Sequence, residues 1–135
     1  MLRVRARYFA AASATIVVGL FVHLRGAALG PVTRDVLGDA LWAAMIAWLV
    51  GAIAPNAPLL ARAIAAYSVC AAVEVGQLYH SPALDAVRAT FVGHLVLGSG
   101  FDARDFASYA AGVICAALLE MAALRNGNQL TTSPR

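Results

Sequence analysis

The sequence predicts an all-α integral membrane protein: four transmembrane helices plus a short re-entrant or interfacial segment. Three observations carry that expectation. Of 135 residues, 61% are hydrophobic, against about 45–50% in a soluble domain, and the mean hydropathy is +0.76. The apolar residues fall in long blocks almost free of charge, which is the signature of membrane spans. The net charge of +3 comes from arginine alone, without any lysine, and the arginines stand at the ends of the apolar blocks, where they orient a chain in a bilayer.

One domain is expected at this length: a membrane domain over 1–125 and a disordered polar tail over 126–135. The first span is Tyr8 to Leu24. It follows Arg3, Arg5 and Arg7, and three arginines ahead of a retained span place the N-terminus in the cytoplasm. Arg25 to Leu37, with Gly26, Gly30 and Pro31, reads as an outer loop. The second span runs from Gly38 to Ala54, opened by Gly38-Asp39 and carrying Trp42 and Trp48. Pro55, Asn56 and Pro58 make a tight turn, because prolines stop and restart helices there.

The third span is Leu59 to Tyr79. Its last third contains Glu74 and Gln77, three residues apart and so on one helix face. Ser81-Pro82 then has the form of a helix start, serine as N-cap and proline at the first helical position. Ala83, Leu84, Val87 and Phe91 give the new helix an apolar face, with Asp85 and Arg88 opposite, as in a helix lying in the membrane interface. It leads into Phe91 to Leu97, far shorter than the roughly 20 residues a span needs and therefore read as re-entrant. The last span is Asp105 to Leu124, its N-terminal end favoured by carboxylates.

The arginines bear on the count. With four spans, Arg3, Arg5, Arg7, Arg62, Arg125 and Arg135 face the cytoplasm and Arg25, Arg34, Arg88 and Arg104 face out, six against four. A fifth crossing at Phe91 to Leu97 equalises the two sides, so the positive-inside rule favours four spans with both termini cytoplasmic. In that arrangement Arg25, Asp39, Glu74, Gln77, Arg88, Asp105 and Tyr109 gather in the outer half of the membrane. The cytoplasmic half keeps little beyond Arg62 and Glu120.

Charged groups in a bilayer cost at least ~2.5–3.5 kcal/mol, so they are paired or functional. Three readings of this polar cluster stay open. It is a pocket for a lipid or envelope-precursor headgroup, with Arg25 and Arg88 matched to phosphate oxygens of an anionic lipid. It is an enzyme site acting on a lipid-linked substrate, with Glu74 or Asp105 as general base. Or it is structural, Glu74 pairing with Arg25 or Arg88. No H-E-x-x-H, G-x-S-x-G or P-loop spacing exists, and neither metal nor cofactor is expected. Cys70 and Cys115 have no ligand spacing and read as small packing residues. The basic balance comes without aromatic-interleaved clusters, which argues against nucleic acid. A small span count is compatible with a homo-oligomer.

An ordered set of motifs runs through the chain: Gly38-Asp39-x-Leu41-Trp42, Glu74-x-x-Gln77-Leu78-Tyr79, Arg88-x-Thr90, Leu95-x-Leu97-Gly98-x-x-Phe101 and Asp105-x-x-x-Tyr109-x-x-Gly112. From Tyr8 to Leu124 this resembles the bacterial membrane-protein family filed as domain of unknown function 2809, whose name carries no activity. A looser likeness is to VanZ-like membrane proteins, which also combine a Glu-x-x-Gln pair in a span, a later arginine, and an aspartate and glycine near the last span. That family is linked with resistance to teicoplanin, and the likeness implies a cell-envelope role in the bacterial inner membrane. The spacing around Asp105 and the following Tyr109 depart from the VanZ-like pattern, so drug resistance is not carried over.

Overall fold

The structure, a computed structural model, describes residues 1–98 and 100–132. Among the described residues there are six α-helices and no strand. They are α1 (Leu2–Arg25), α2 (Pro31–Ile53), α3 (Leu59–Gly76), α4 (Pro82–Arg88), α5 (Phe91–Leu97) and α6 (Asp105–Thr132). Four of them, α1, α2, α3 and α6, are long and apolar enough to cross a membrane. At seven residues each, α4 and α5 are about 10 Å long, well short of the ~30 Å hydrocarbon core.

The bundle is turned out toward lipid. Its large apolar side chains, among them Ile16, Phe21, Leu60, Ile64, Leu118 and Leu119, are exposed on the protein surface. The interior is made of small residues and one aromatic: Ala43, Ala66, Cys70, Tyr109 and Val113. Small interfacial residues let helix backbones approach closely where lipid supplies the apolar exterior. The helices α2, α3 and α6 pack on one another, and α1 packs on the flank of α2. Where α2 and α6 meet, a Cβ on Gly112 of α6 would overlap the Ala40 carbonyl of α2.

Three boundaries differ from the sequence expectation, and the first two bear on the site. The second helix begins at Pro31 rather than Gly38, so most of the expected outer loop is a short 3-10 turn, Gly26–Leu29, followed by helix. Gly30 takes φ +78° to reverse the chain, which costs a glycine nothing sterically, and Pro31 then occupies the first helical position. Asp39 therefore sits two turns inside α2. The third helix ends at Gly76 rather than Tyr79, which places Glu74 in its last turn. The helix α6 continues to Thr132, past the expected end of the span at Leu124. Residues 133–135 of the expected tail lie outside the described residues.

The segment from Ser81 takes the expected form. The Ser81 hydroxyl accepts the Leu84 N–H at 3.3 Å and starts α4. The Thr90 hydroxyl accepts the Gly93 N–H at 3.0 Å and donates to the Val87 carbonyl at 2.7 Å, joining α4 to α5. The Phe91 ring meets His23 of α1 edge-on, with centroids 6.0 Å apart, so the α4–α5 pair sits at the end of the bundle where α1 finishes.

Candidate functional site

The polar groups of the chain collect at the two ends of the bundle. At the end capped by α4 and α5, Glu74 is 0% exposed, although a carboxylate is among the costliest groups to take out of water. Its compensation is three donors. The Tyr109 hydroxyl donates to Oε2 at 2.8 Å, the Gln77 amide to Oε2 at 3.0 Å, and the Asp102 backbone N–H to Oε1 at 2.7 Å. Among the described residues no arginine takes part. The Gln77 amide works in both directions, since its Oε1 accepts the Gly100 N–H at 2.9 Å. Glu74 and Gln77 thus hold the loop between α5 and α6 against the end of α3.

Gly98 makes that approach possible. It has φ +68°, and a Cβ there would overlap the Gln77 amide. The spacing of Glu74 and Gln77 on one face of α3 aims both at α6. Asp105 and Tyr109, four apart at the start of α6, meet them from the other side.

Across the α2–α6 contact, Asp39 lies within hydrogen-bonding reach of Asp105, and Glu74 is near enough to act on both through its charge. Both aspartates are half-buried. Among the described residues no protein N–H or O–H donates to either side chain. A direct hydrogen bond between the two carboxyl groups requires a proton held by one of them. Apart from that contact they are acceptors without donors. Among the described residues, no group of three or more His, Cys, Asp or Glu side chains is arranged to hold a metal ion.

Of the residues expected at one site, the structure brings together Asp39, Glu74, Gln77, Asp105 and Tyr109. It does not bring the arginines to them. Arg25 is exposed at the end of α1. Arg88 folds back over the end of α3, donating to the Gly76 carbonyl at 2.9 Å, the Tyr79 carbonyl at 2.8 Å and Asp85 Oδ1 at 3.2 Å. It acts there as a cation on the negative end of a helix dipole. The expected ion pairs of Glu74 with Arg25 or Arg88 are replaced by neutral donors. His80 bonds to the same Asp85 oxygen at 3.1 Å, and His94 is exposed.

The opposite end holds a network that sequence reasoning did not assemble. Arg62 and Glu120 form a two-pronged pair, Nη2 to Oε1 at 2.6 Å and Nη1 to Oε2 at 3.2 Å, with the side chains 8% and 14% exposed. Tyr8 closes it: its hydroxyl accepts from Arg62 at 2.6 Å and donates to Glu120 at 2.7 Å. The Tyr8 ring lies against Gly51, where a Cβ would approach within 2.6 Å of it. The available signal was Arg62 near the start of α3 and Glu120 near the end of α6, with Tyr8 near the start of α1. Opposite charges at the same depth of two neighbouring spans are the pattern that marks such a pair.

Compared with known families, residues 29–113 match the family model described as "Protein of unknown function (DUF2809)", well over half of the chain. The chain belongs to this family. The matched region of this DUF2809 member contains Asp39, Glu74, Gln77, Arg88, Asp105, Tyr109 and the Gly112 contact, while Arg25, Tyr8 and Glu120 fall outside it. No solved structure matches the chain.

Proposed function

We propose that this DUF2809 protein resides in the bacterial inner membrane with both termini in the cytoplasm. Its α4–α5 end then forms an outward-facing pocket that binds the headgroup of a lipid or cell-envelope precursor. One observation carries this reading: Asp39 and Asp105 present paired half-buried carboxyl groups that, apart from each other, no donor among the described residues satisfies. A polar group so placed is expected to have a partner, and the partner the geometry calls for is a donor. Headgroup amines and sugar hydroxyls are donors. The phosphate expected for this pocket does not suit it, because Arg88 and Arg25 stand elsewhere. Glu74, Gln77 and Tyr109 form the floor. The orientation rests on Arg3, Arg5 and Arg7 ahead of the first span, and the envelope role on the looser likeness to VanZ-like proteins.

The test is a lipid inventory. Full-length protein is extracted in a mild detergent, and its retained lipids are compared with those of an Asp39→Asn/Asp105→Asn variant. The expected result is one amine- or sugar-bearing headgroup class enriched on the native protein and reduced about tenfold or more on the variant, the scale of one good hydrogen-bonded contact. Equal inventories would remove the basis for a headgroup pocket.

A second reading is favoured by Glu74 itself. Its oxygens are filled by Tyr109, Gln77 and Asp102, all from this chain. In that reading the polar end is a bracket that fixes the α5–α6 loop on the bundle, and the protein is a small structural subunit.

A further inference from the structure

A second feature lies on another face of α3. Ala66, Cys70, Glu74 and Gln77 point into the bundle. Val69, Ala72, Val73 and Gly76, spaced i, i+3, i+4 and i+7, share a different face and line an open groove of about 490 Å³ completed by Leu84 and Leu97 of α4 and α5. That volume is in the range of ligand sites, about 300–1,000 Å³. The groove is apolar along its length and has Arg88 and Tyr79 among its lining.

Arg88 is unusual there. Its side chain is 9% exposed, and its Nε is buried with no hydrogen-bond partner. Two of its other bonds go to backbone carbonyls, which carry no formal charge, and its one anionic contact, Asp85, is half-exposed and shared with His80. A buried donor without an acceptor calls for one, and the guanidinium fork suits phosphate oxygens.

The arrangement also has a direction. Val69 to Gly76 spans about 10 Å of helix, with Arg88 at the helix end and the apolar walls running toward the bilayer interior. An amphiphile lies the same way, charged group at the interface and chain inward. We infer that the groove between α3 and the α4–α5 pair seats one glycerophospholipid, its phosphodiester on Arg88 and one acyl chain along Val69, Ala72 and Val73. This site is distinct from the Asp39–Asp105 pocket and goes beyond the headgroup reading. The carboxylate pocket calls for a donor, whereas this groove calls for an anion on a hydrocarbon chain.

The experiment is native mass spectrometry of full-length protein released from detergent after incubation with phosphatidylglycerol, with diacylglycerol, or with phosphatidylglycerol plus excess glycerol phosphate. Two variants accompany it. Arg88→Gln removes the phosphate contact. Ala72→Phe fills the groove from a lipid-facing position without entering the bundle core, and so keeps the test valid if loss of Arg88 unfolds the end of α3. The expected result is a single retained phosphatidylglycerol, with diacylglycerol not retained, glycerol phosphate unable to displace the lipid, and occupancy about tenfold lower in each folded variant. Full occupancy in Ala72→Phe, or equal retention of diacylglycerol, would overturn the assignment. Displacement by glycerol phosphate would show a free-phosphate site instead. A dimer that Ala72→Phe dissociates would give the groove to a second copy of the chain. Because the Asp39→Asn/Asp105→Asn variant leaves this groove intact, its phosphatidylglycerol occupancy should equal that of the native protein whatever the headgroup test shows.

Discussion

At the scale of single residues, Glu74 decides how the polar end is built. A fully buried carboxylate usually keeps an arginine or lysine; this one keeps a phenol, an amide and a backbone N–H. The arrangement is sensitive to loss of any one donor, since removing a partner leaves the acceptor with its full desolvation cost. Tyr109→Phe deletes one hydroxyl and little volume. It should destabilise the protein by about 1–3 kcal/mol, read as a lower thermal midpoint in detergent, while Tyr67→Phe, at a position flanking the core, serves as the comparison. An unchanged midpoint for Tyr109→Phe would mean that the bond to Glu74 contributes little. The sequence made part of this legible. The three-residue step from Glu74 to Gln77 fixes a common face whatever the tertiary structure, and the four-residue step from Asp105 to Tyr109 does the same on α6. The position of Arg88 was not legible. It follows the turn after Gly76 and the extended Ser81 cap, and which side of α3 it returns to depends on packing that no local spacing encodes.

At the scale of elements, glycine and proline account for both what was read and what was missed. Ser81-Pro82 gave α4 its start, and the cap is present. Gly30-Pro31 also puts proline at the first helical position but lacks a capping side chain, and with Thr33, Arg34 and Asp35 following the stretch looked like loop, because polar residues in a first helical turn resemble polar residues in a turn. Gly112 permits close contact of α6 with the Ala40 backbone of α2. Gly38 lies on the same α2 helix with nothing within 4 Å of a built Cβ. The two glycines should therefore answer oppositely to one substitution. Gly112→Ala places a methyl group in a backbone carbonyl and should cost about 1–3 kcal/mol through forced separation of α2 and α6. Gly38→Ala meets open space inside a helix and should gain about 0.5–1 kcal/mol. Thermal midpoints of the two variants check the pair, and a Gly112→Ala protein as stable as the native one would show that α2 and α6 can part without loss.

At the scale of the molecule, the four long helices leave two polar ends and a middle of alanine, cysteine and valine. The alternation of directions follows from the chain: α1 and α3 run one way, α2 and α6 the other, and the α4–α5 pair adds no crossing, because two helices of seven residues each cover about 10 Å of a ~30 Å core. The two networks then occupy opposite membrane faces. Tyr8, Arg62 and Glu120 tie α1, α3 and α6 at the face where the chain begins. Asp39, Glu74 and Asp105 lie at the other. The hydropathy blocks exposed this four-span order in the sequence, whereas the Tyr8–Arg62–Glu120 closure needed three helices placed side by side. An even number of crossings puts the two termini on one side, and the orientation proposed from Arg3, Arg5 and Arg7 makes that side the cytoplasm. Paired reporters fused after Arg135, one active only in the cytoplasm and the other only outside, should therefore report a cytoplasmic C-terminus. A reporter active outside would require a fifth crossing through 91–97, would move Asp105 across the membrane from Asp39 and Glu74, and would remove the basis of the proposed headgroup pocket.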